Sequence, residues 1–146
     1  MFEAASVDPA QFCRQSAEWG ITSDLAAFPR LAQEFAAGRL ACRVTGRVDR
    51  DNAPVLHVEV DGEVLTTCQR CLNDLVLALA IERDIRLASS AAELERYEAD
   101  ADFGGDVIPM PARLSLIELI EDEVLLGLAF SPMHAPGECA LPANLT

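Results

Sequence analysis

The stretch Leu75-Val76-Leu77-Ala78-Leu79-Ala80-Ile81-Glu82-Arg83-Asp84-Ile85-Arg86-Leu87 decides the fold class. Leu75, Leu77, Leu79, Ile81, Ile85 and Leu87 share one parity, while Glu82, Asp84 and Arg86 hold the other. A period of two places one row of side chains against a core and the other toward water, which predicts a long half-buried strand. Upstream, Val55 to Thr67 is a second extended stretch, interrupted at Asp61-Gly62. That pair is either a hairpin turn or a glycine kink in one long strand, and the kink is the preferred reading. Arg50-Asp51-Asn52-Ala53-Pro54 is a turn. Before it, Leu40, Cys42, Val44 and Val48 alternate with Ala41, Arg43, Thr45, Arg47 and Asp49, so a further strand starts near Arg39. Residues 39–88 therefore read as strands joined by short turns, with a Cys-x-x-Cys turn among them.

The flanks read as helical. Asp8-Pro9-Ala10-Gln11 carries a capping carboxylate, a proline suited to the first helical position and a glutamine that can close a capping box. The helix it opens is expected to reach about Trp19 and stop at Gly20. Pro29 opens a second helix, with Leu31 and Phe35 four apart on one face and Gly38 as its stop, making 1–38 a helical N-terminal part. Residues 89–111 lose periodicity and turn acidic, with Glu93, Glu95, Glu98, Asp100 and Asp102 before Gly104-Gly105, and read as a short helical turn and a solvated loop. Ser115 and Glu118 form a capping box, and Leu114 with Leu119 a hydrophobic staple. They start a helix over 115–129 whose Leu116, Ile120, Val124 and Leu128 face the core and whose Glu118, Glu121, Asp122 and Glu123 make its outside negative. Pro132 limits its continuation, and 130–146 is an irregular, proline-rich tail. The expectation is one α+β domain over 1–146. Its sheet is antiparallel and partly closed, with N-terminal helices and one capped C-terminal helix packed on it.

Composition bounds the function. A chain of 146 residues, 51% hydrophobic, buries enough surface to hold a core without disulfides or metals. No apolar run approaches the ~18 residues of a membrane span and no charged-then-apolar leader follows Met1, so a cytoplasmic protein with no membrane partner is expected. All 11 cationic side chains are arginines, against 24 carboxylates, for a net charge of −13. Such a surface disfavours nonspecific nucleic-acid binding and favours partners of positive charge.

Five cysteines, Cys13, Cys42, Cys68, Cys71 and Cys139, are an odd number for a disulfide framework. Cys68-Gln69-Arg70-Cys71 has the spacing by which one turn grips a zinc ion, and His134 with Cys139 would complete a Cys3His structural site if the tail folds back. A redox pair fits poorly because a strand, not a helix, follows the motif. Two thiols at a strand turn with no ligand is the third reading. Arg43 and Arg47 lie on the outward side of their strand, with Arg39 and Arg50 at its ends and Arg70 inside the cysteine turn. That row binds phosphate or, more commonly in so acidic a chain, pairs with neighbouring carboxylates. His57 reads as an ordinary strand residue, and no catalytic triad, phosphate loop or metalloprotease motif is present, so no enzyme is expected.

Thr67-Cys68-Gln69-Arg70-Cys71-Leu72, followed much later by Leu116-Ile117-Glu118-Leu119-Ile120-Glu121-Asp122-Glu123-Val124-Leu125-Leu126-Gly127-Leu128 and then Pro132-Met133-His134, resembles the YceD family, the large ribosomal RNA subunit accumulation proteins. The similarity runs loosely from the first helix to Cys139, and one departure is Gly127-Leu128-Ala129-Phe130, where the family commonly has an Ala-Leu-Pro run. The resemblance implies a non-enzymatic factor needed for normal accumulation of large-subunit ribosomal RNA, hence a role in ribosome assembly. Its implied motif residues are Cys68, Arg70, Cys71, Glu121, Glu123, His134 and Cys139. Resemblance and charge together point to a basic ribosomal protein, or a large-subunit precursor particle, held by Glu118, Glu121, Asp122, Glu123 and the Glu93 to Asp102 stretch. The alternatives are direct RNA contact through Arg43, Arg47 and Arg70, or a thiol oxidoreductase.

Overall fold

The computed structural model describes residues 5–68 and 71–127. In chain order the elements are β1 (Ser6–Val7), α1 (Pro9–Arg14), β2 (Glu18–Asp24), a 3-10 turn (Leu25–Ala27), α2 (Pro29–Glu34), β3 (Ala37–Val48), β4 (Pro54–Thr67), β5 (Asp74–Ala88), α3 (Ala91–Glu98), β6 (Asp106–Pro109), β7 (Leu114–Ser115) and α4 (Leu116–Gly127). Five strands form one sheet in the order β2-β3-β4-β5-β6, and β1 pairs with β7 beside it.

The α+β reading stands, with two corrections to the sheet. It is open rather than partly closed, ending at β2 on one side and β6 on the other. It is also mixed, because β6 runs parallel to β5, from Ile85 opposite Asp106 to Ala88 opposite Pro109. A parallel neighbour needs a crossover, and α3 with its flanking loops provides it. The acidic 89–111 segment is therefore not mainly a solvated loop: it holds a helix and an edge strand. Ser90 Oγ accepts a hydrogen bond from the Glu93 amide at 3.1 Å, and the Glu93 carboxylate accepts one from the Ser89 amide at 2.7 Å, which fixes the start of α3.

The N-terminal part is not purely helical. Asp8 caps α1 as expected, accepting from the Ala10 and Gln11 amides at 3.0 and 3.2 Å. The helix ends at Arg14, not Trp19, where Ser16 turns the chain with φ of 50°. Trp19 and Ile21 then lie opposite Val44 and Cys42 as members of β2. The alternation of Trp19, Ile21 and Ser23 with Glu18, Gly20 and Thr22 is a strand signal that the Gly20 stop masks. Gly38 likewise ends no helix. It lies in β3 opposite Val64, and a Cβ there would stand 2.9 Å from the Glu63 carbonyl oxygen.

At Asp61-Gly62 the chain continues as one strand. Gly62 pairs with Leu40 on one side and Leu79 on the other, at φ of +151°, and an added Cβ would lie 2.1 Å from the Arg39 carbonyl oxygen. Only glycine tolerates that conformation at that approach. The β3–β4 turn is tied by the Asp49 carboxylate, which accepts from the Asp51 and Ala53 amides.

One face of the sheet carries the main core. Leu40, Cys42 and Val44 of β3, Leu56, Val58, Val60 and Val64 of β4, and Leu79, Ile85 and Leu87 of β5 are buried with Phe12 of α1, Phe28, Leu31 of α2, and Leu116, Ile120 and Val124 of α4. The N-terminal helices are thus a lid on the sheet. At the far end of β5 the opposite face is covered too, since Tyr97 of α3 packs on Ala53 and Ala88. The 115–129 helix is described from Leu116 to Gly127, its Glu118 amide donating to Ser115 Oγ at 3.2 Å as the capping box requires; Leu128 and the 130–146 tail lie outside the described residues.

Gly62→Ala is expected to lower the unfolding free energy by about 3 kcal/mol, the cost of a strained φ together with a backbone clash. Urea denaturation at unchanged m-value measures it.

Candidate functional site

The acidic motif residues of α4 do not form an exposed negative face. Glu121 is 2% exposed and Glu123 6% exposed, leaving Glu118 and Asp122 as the motif's carboxylates on the surface. The reason is Arg30, at the start of α2. Its amide donates to Glu121 Oε2 at 2.7 Å and its Nε to Glu121 Oε1 at 3.0 Å, while Nη2 reaches Asp122 Oδ1 at 2.7 Å and the Glu118 carbonyl at 3.0 Å. These charge-assisted bonds raise the guanidinium pKa above its ordinary value, with Asp122 the larger contributor and Glu121 next. The forked donor set joins α2 to α4, and nothing in the spacing of Pro29-Arg30 marks it.

Glu123 differs, because among the described residues its side chain has no hydrogen-bond or ion-pair partner. Burial raises its pKa, and Asp106 and Asp122 add to that rise, while Arg83 opposes it. It opens onto a groove of about 800 Å³ between α4 and the α3–β6 crossover. Ile108, Leu119, Leu125 and Leu126 form apolar walls, and Glu98 and Asp106 stand among the lining residues. Arg83 pairs with Asp106 at its side.

In the arginine row of β3, Arg47 is ion-paired, while Arg39 and Arg43 have carboxylates as cross-strand neighbours without an ion pair among the described residues. Arg39 lies opposite Glu63 and Arg43 opposite Glu59 in the β3–β4 register, and Arg47 Nη1 stands 3.5 Å from Asp84 Oδ1. Arg70 lies outside the described residues. On the same face His57 is more than an ordinary strand residue. Its Nδ1 lies 2.6 Å from Asp84 Oδ1 and its Nε2 3.1 Å from Glu82 Oε2, an arrangement that suits a doubly protonated ring. The hydrogen bond to Asp84 chiefly raises its pKa. Burial works against ionisation of Asp84, but the bond from His57 and the charge of Arg47 outweigh it and leave that carboxyl below its usual range. One donor atom each from His57, Glu59 and Glu82 lie within 4.8 Å of one another, close enough to share a cation or for a protonated ring to serve both carboxylates.

Arg86 has the solvent-side parity of β5 in the sequence, yet it is 4% exposed. It holds Asp49 through Nη2 at 2.7 Å and Asp100 through Nη1 at 2.9 Å, and its guanidinium lies over the Phe103 and Tyr97 rings at 4.2 and 5.0 Å. Burial alone would depress its pKa; the bonds to Asp100 and Asp49 reverse that and raise it. This ion cluster ties the β3–β4 turn to the crossover loop and so shapes one wall of the groove.

At the other end of the sheet the cysteine motif caps the β4–β5 hairpin. The Cys68 amide donates to the Asn73 carbonyl at 2.9 Å and the Leu72 amide to the Cys68 carbonyl at 2.8 Å, with Leu72 at φ of 64°. Cys68 is buried beside Leu75, and Cys71 and Leu77 pack against them. His134 and Cys139, the other two expected zinc ligands, lie outside the described residues. Cys13 and Cys42 are buried in the main core; burial pushes the Cys13 thiol up and the Cys42 thiol to about 12, which leaves both unreactive.

A mixed sheet with a lidded core, a cysteine-tipped hairpin and an acidic-apolar helix is the setting for the family assignment. Residues 56–144 match the family model described as large ribosomal RNA subunit accumulation protein YceD, and the chain belongs to that family. No curated protein and no solved structure matches it. The family's description connects it with large-subunit ribosomal RNA accumulation. Among the described residues no helix is long and apolar enough to cross a membrane.

The His57–Asp84 pair makes stability depend on pH. A raised histidine pKa contributes stability that is complete below the ordinary value of 6.5 and is lost as pH rises through the folded-state value. His57→Gln is therefore expected to destabilise the chain more at pH 6 than at pH 9, read as the difference in urea midpoint from the parent at each pH.

Proposed function

We propose that this chain is a non-enzymatic, cytoplasmic assembly factor that supports accumulation of large-subunit ribosomal RNA by holding a basic ribosomal protein, free or within a precursor particle. The observation that carries this reading is the use of positive charge. Arg30, Arg47, Arg83 and Arg86 are ion-paired within the fold, and Arg39 and Arg43 face Glu63 and Glu59 across the sheet. With a net charge of −13, an RNA backbone would meet repulsion over most of the surface, whereas a basic polypeptide would meet attraction.

The test is affinity capture with the full chain from lysates with and without ribonuclease, identifying co-purifying ribosomal proteins by mass spectrometry. Basic large-subunit proteins are expected to remain after ribonuclease and to fall away as salt rises. Capture that is abolished by ribonuclease and by Arg43→Glu with Arg47→Glu would establish direct RNA binding instead.

The same reading takes Cys68, Cys71, His134 and Cys139 as one structural zinc site, supported by two thiols held on a single closed turn. Purified protein is expected to carry about one zinc per chain by elemental analysis. Cys68→Ser is expected to lose it together with thermal stability. Metal-free wild-type protein of undiminished stability would overturn the assignment.

A further inference from the structure

The groove between α4 and the α3–β6 crossover contains a feature that folding alone does not account for. Glu123 is 6% exposed, yet among the described residues no donor reaches its carboxylate. Covering a carboxylate without a partner is costly, and native structures normally avoid it. Among the described residues no buried polar side-chain atom is both sealed from solvent and unpartnered, so the uncovered part of this carboxylate faces the groove rather than closed core. Asp106 and Asp122, beside it, already have arginine partners in Arg83 and Arg30. Glu123 is thus an unmet acceptor in the lining, beside carboxylates whose own charges are met.

The walls specify the rest of the ligand. Ile108, Leu125 and Leu126 offer apolar surface, and Leu126 is 65% exposed. At about 800 Å³ the space is far larger than one ion needs and is in the range that takes several side chains. Among the described residues the charged groups of the lining are all carboxylates, Glu98, Asp100, Asp106, Asp122 and Glu123, with no arginine.

Resting on the function proposed above, we propose that this groove is the docking site for the basic partner: an arginine side chain enters to meet Glu123, and an adjacent apolar side chain packs on Ile108, Leu125 and Leu126. Arginine suits the position because its planar fork can meet a carboxylate bidentately and is more weakly hydrated than a lysine ammonium. An anionic or nucleic-acid ligand is excluded by the same carboxylates. The unmet acceptor is retained for the partner at a cost to the isolated fold.

The test uses the full chain and a short fluorescein-labelled peptide of repeating arginine-leucine-glycine triplets, with a citrulline-for-arginine peptide as the uncharged probe, followed by anisotropy. The arginine peptide is expected to bind and the citrulline peptide to bind at least tenfold more weakly. Glu123→Gln is expected to weaken the arginine peptide by about tenfold while raising the melting temperature, since an unpaired carboxylate has been replaced by a neutral amide. Leu126→Ser, on an exposed position where folding is not at risk, is expected to weaken it by about threefold. Glu63→Gln, on the opposite face of the sheet, is expected to leave binding unchanged. Equal affinity of wild type and Glu123→Gln, or of the two peptides, overturns the groove assignment. If Glu123→Gln nonetheless retains basic ribosomal proteins from ribonuclease-treated lysate as wild type does, the assembly-factor reading stands and only the site is wrong. If wild type retains none, that reading falls, and the groove assignment with it.

Discussion

β4 is paired along its length with β3 on one side and β5 on the other, and its register settles which side chains become core. Val58, Val60 and Val64 point to the helices, while His57, Glu59 and Glu63 point away. A slip of one residue would exchange the two rows and put carboxylates under α4. The glycine at position 62 lets the strand bend past Leu40 without leaving the ladder, so the alternation holds on both sides of the bend. Everything built on the sheet, including the lid of α1 and α2 and the seat of α4, inherits that choice of face.

Within this frame, positive charge is scarce, and Arg30, Arg47, Arg83 and Arg86 put theirs into ion pairs inside the fold. With no lysine, the chain relies on guanidinium groups, whose forked geometry allows one residue to serve several acceptors. Arg30 gathers Glu121, Asp122 and a helix carbonyl and so holds α4 against α2. Arg86 gathers Asp49 and Asp100 from two distant loops while stacking on two rings. Both act as multivalent internal clamps. The carboxylates that remain outside such clamps give the surface its sign.

Period-two alternation over Leu75–Leu87 and around Leu40–Val48 reveals β3 and β5 directly, and the Ser115–Glu118 box locates α4 to within a residue. What escapes the sequence has identifiable causes. The edge strand β2 is hidden by Trp19-Gly20, where a helix stop and a strand alternation share the same residues. Helix α3 has a readable Ser90–Glu93 cap, but the surrounding acids suggest a solvated loop. Partner-facing acidity on α4 is misplaced because an amphipathic pattern assumes one buried face, and this helix is also covered by Arg30 and by the crossover. Arg86 is misassigned for the same reason: its parity is the polar one, and only a helix arriving from later in the chain buries it. The cysteine turn is placed correctly between two strands, as its context in the sequence implies.

The mixed sheet also has a temporal aspect. β3, β4 and β5 follow one another through short turns, so their pairing needs only local loop closure and sets in first. β6 has to wait for a helical crossover, and α4 for the sheet on which it lies. The elements bounding the acidic groove are thus joined to the central meander by longer chain closures than those within it. A ligand in the groove would therefore act as a staple between the crossover and α4, its binding appearing as slowed amide exchange in β6 and α4 while the central meander stays as it was.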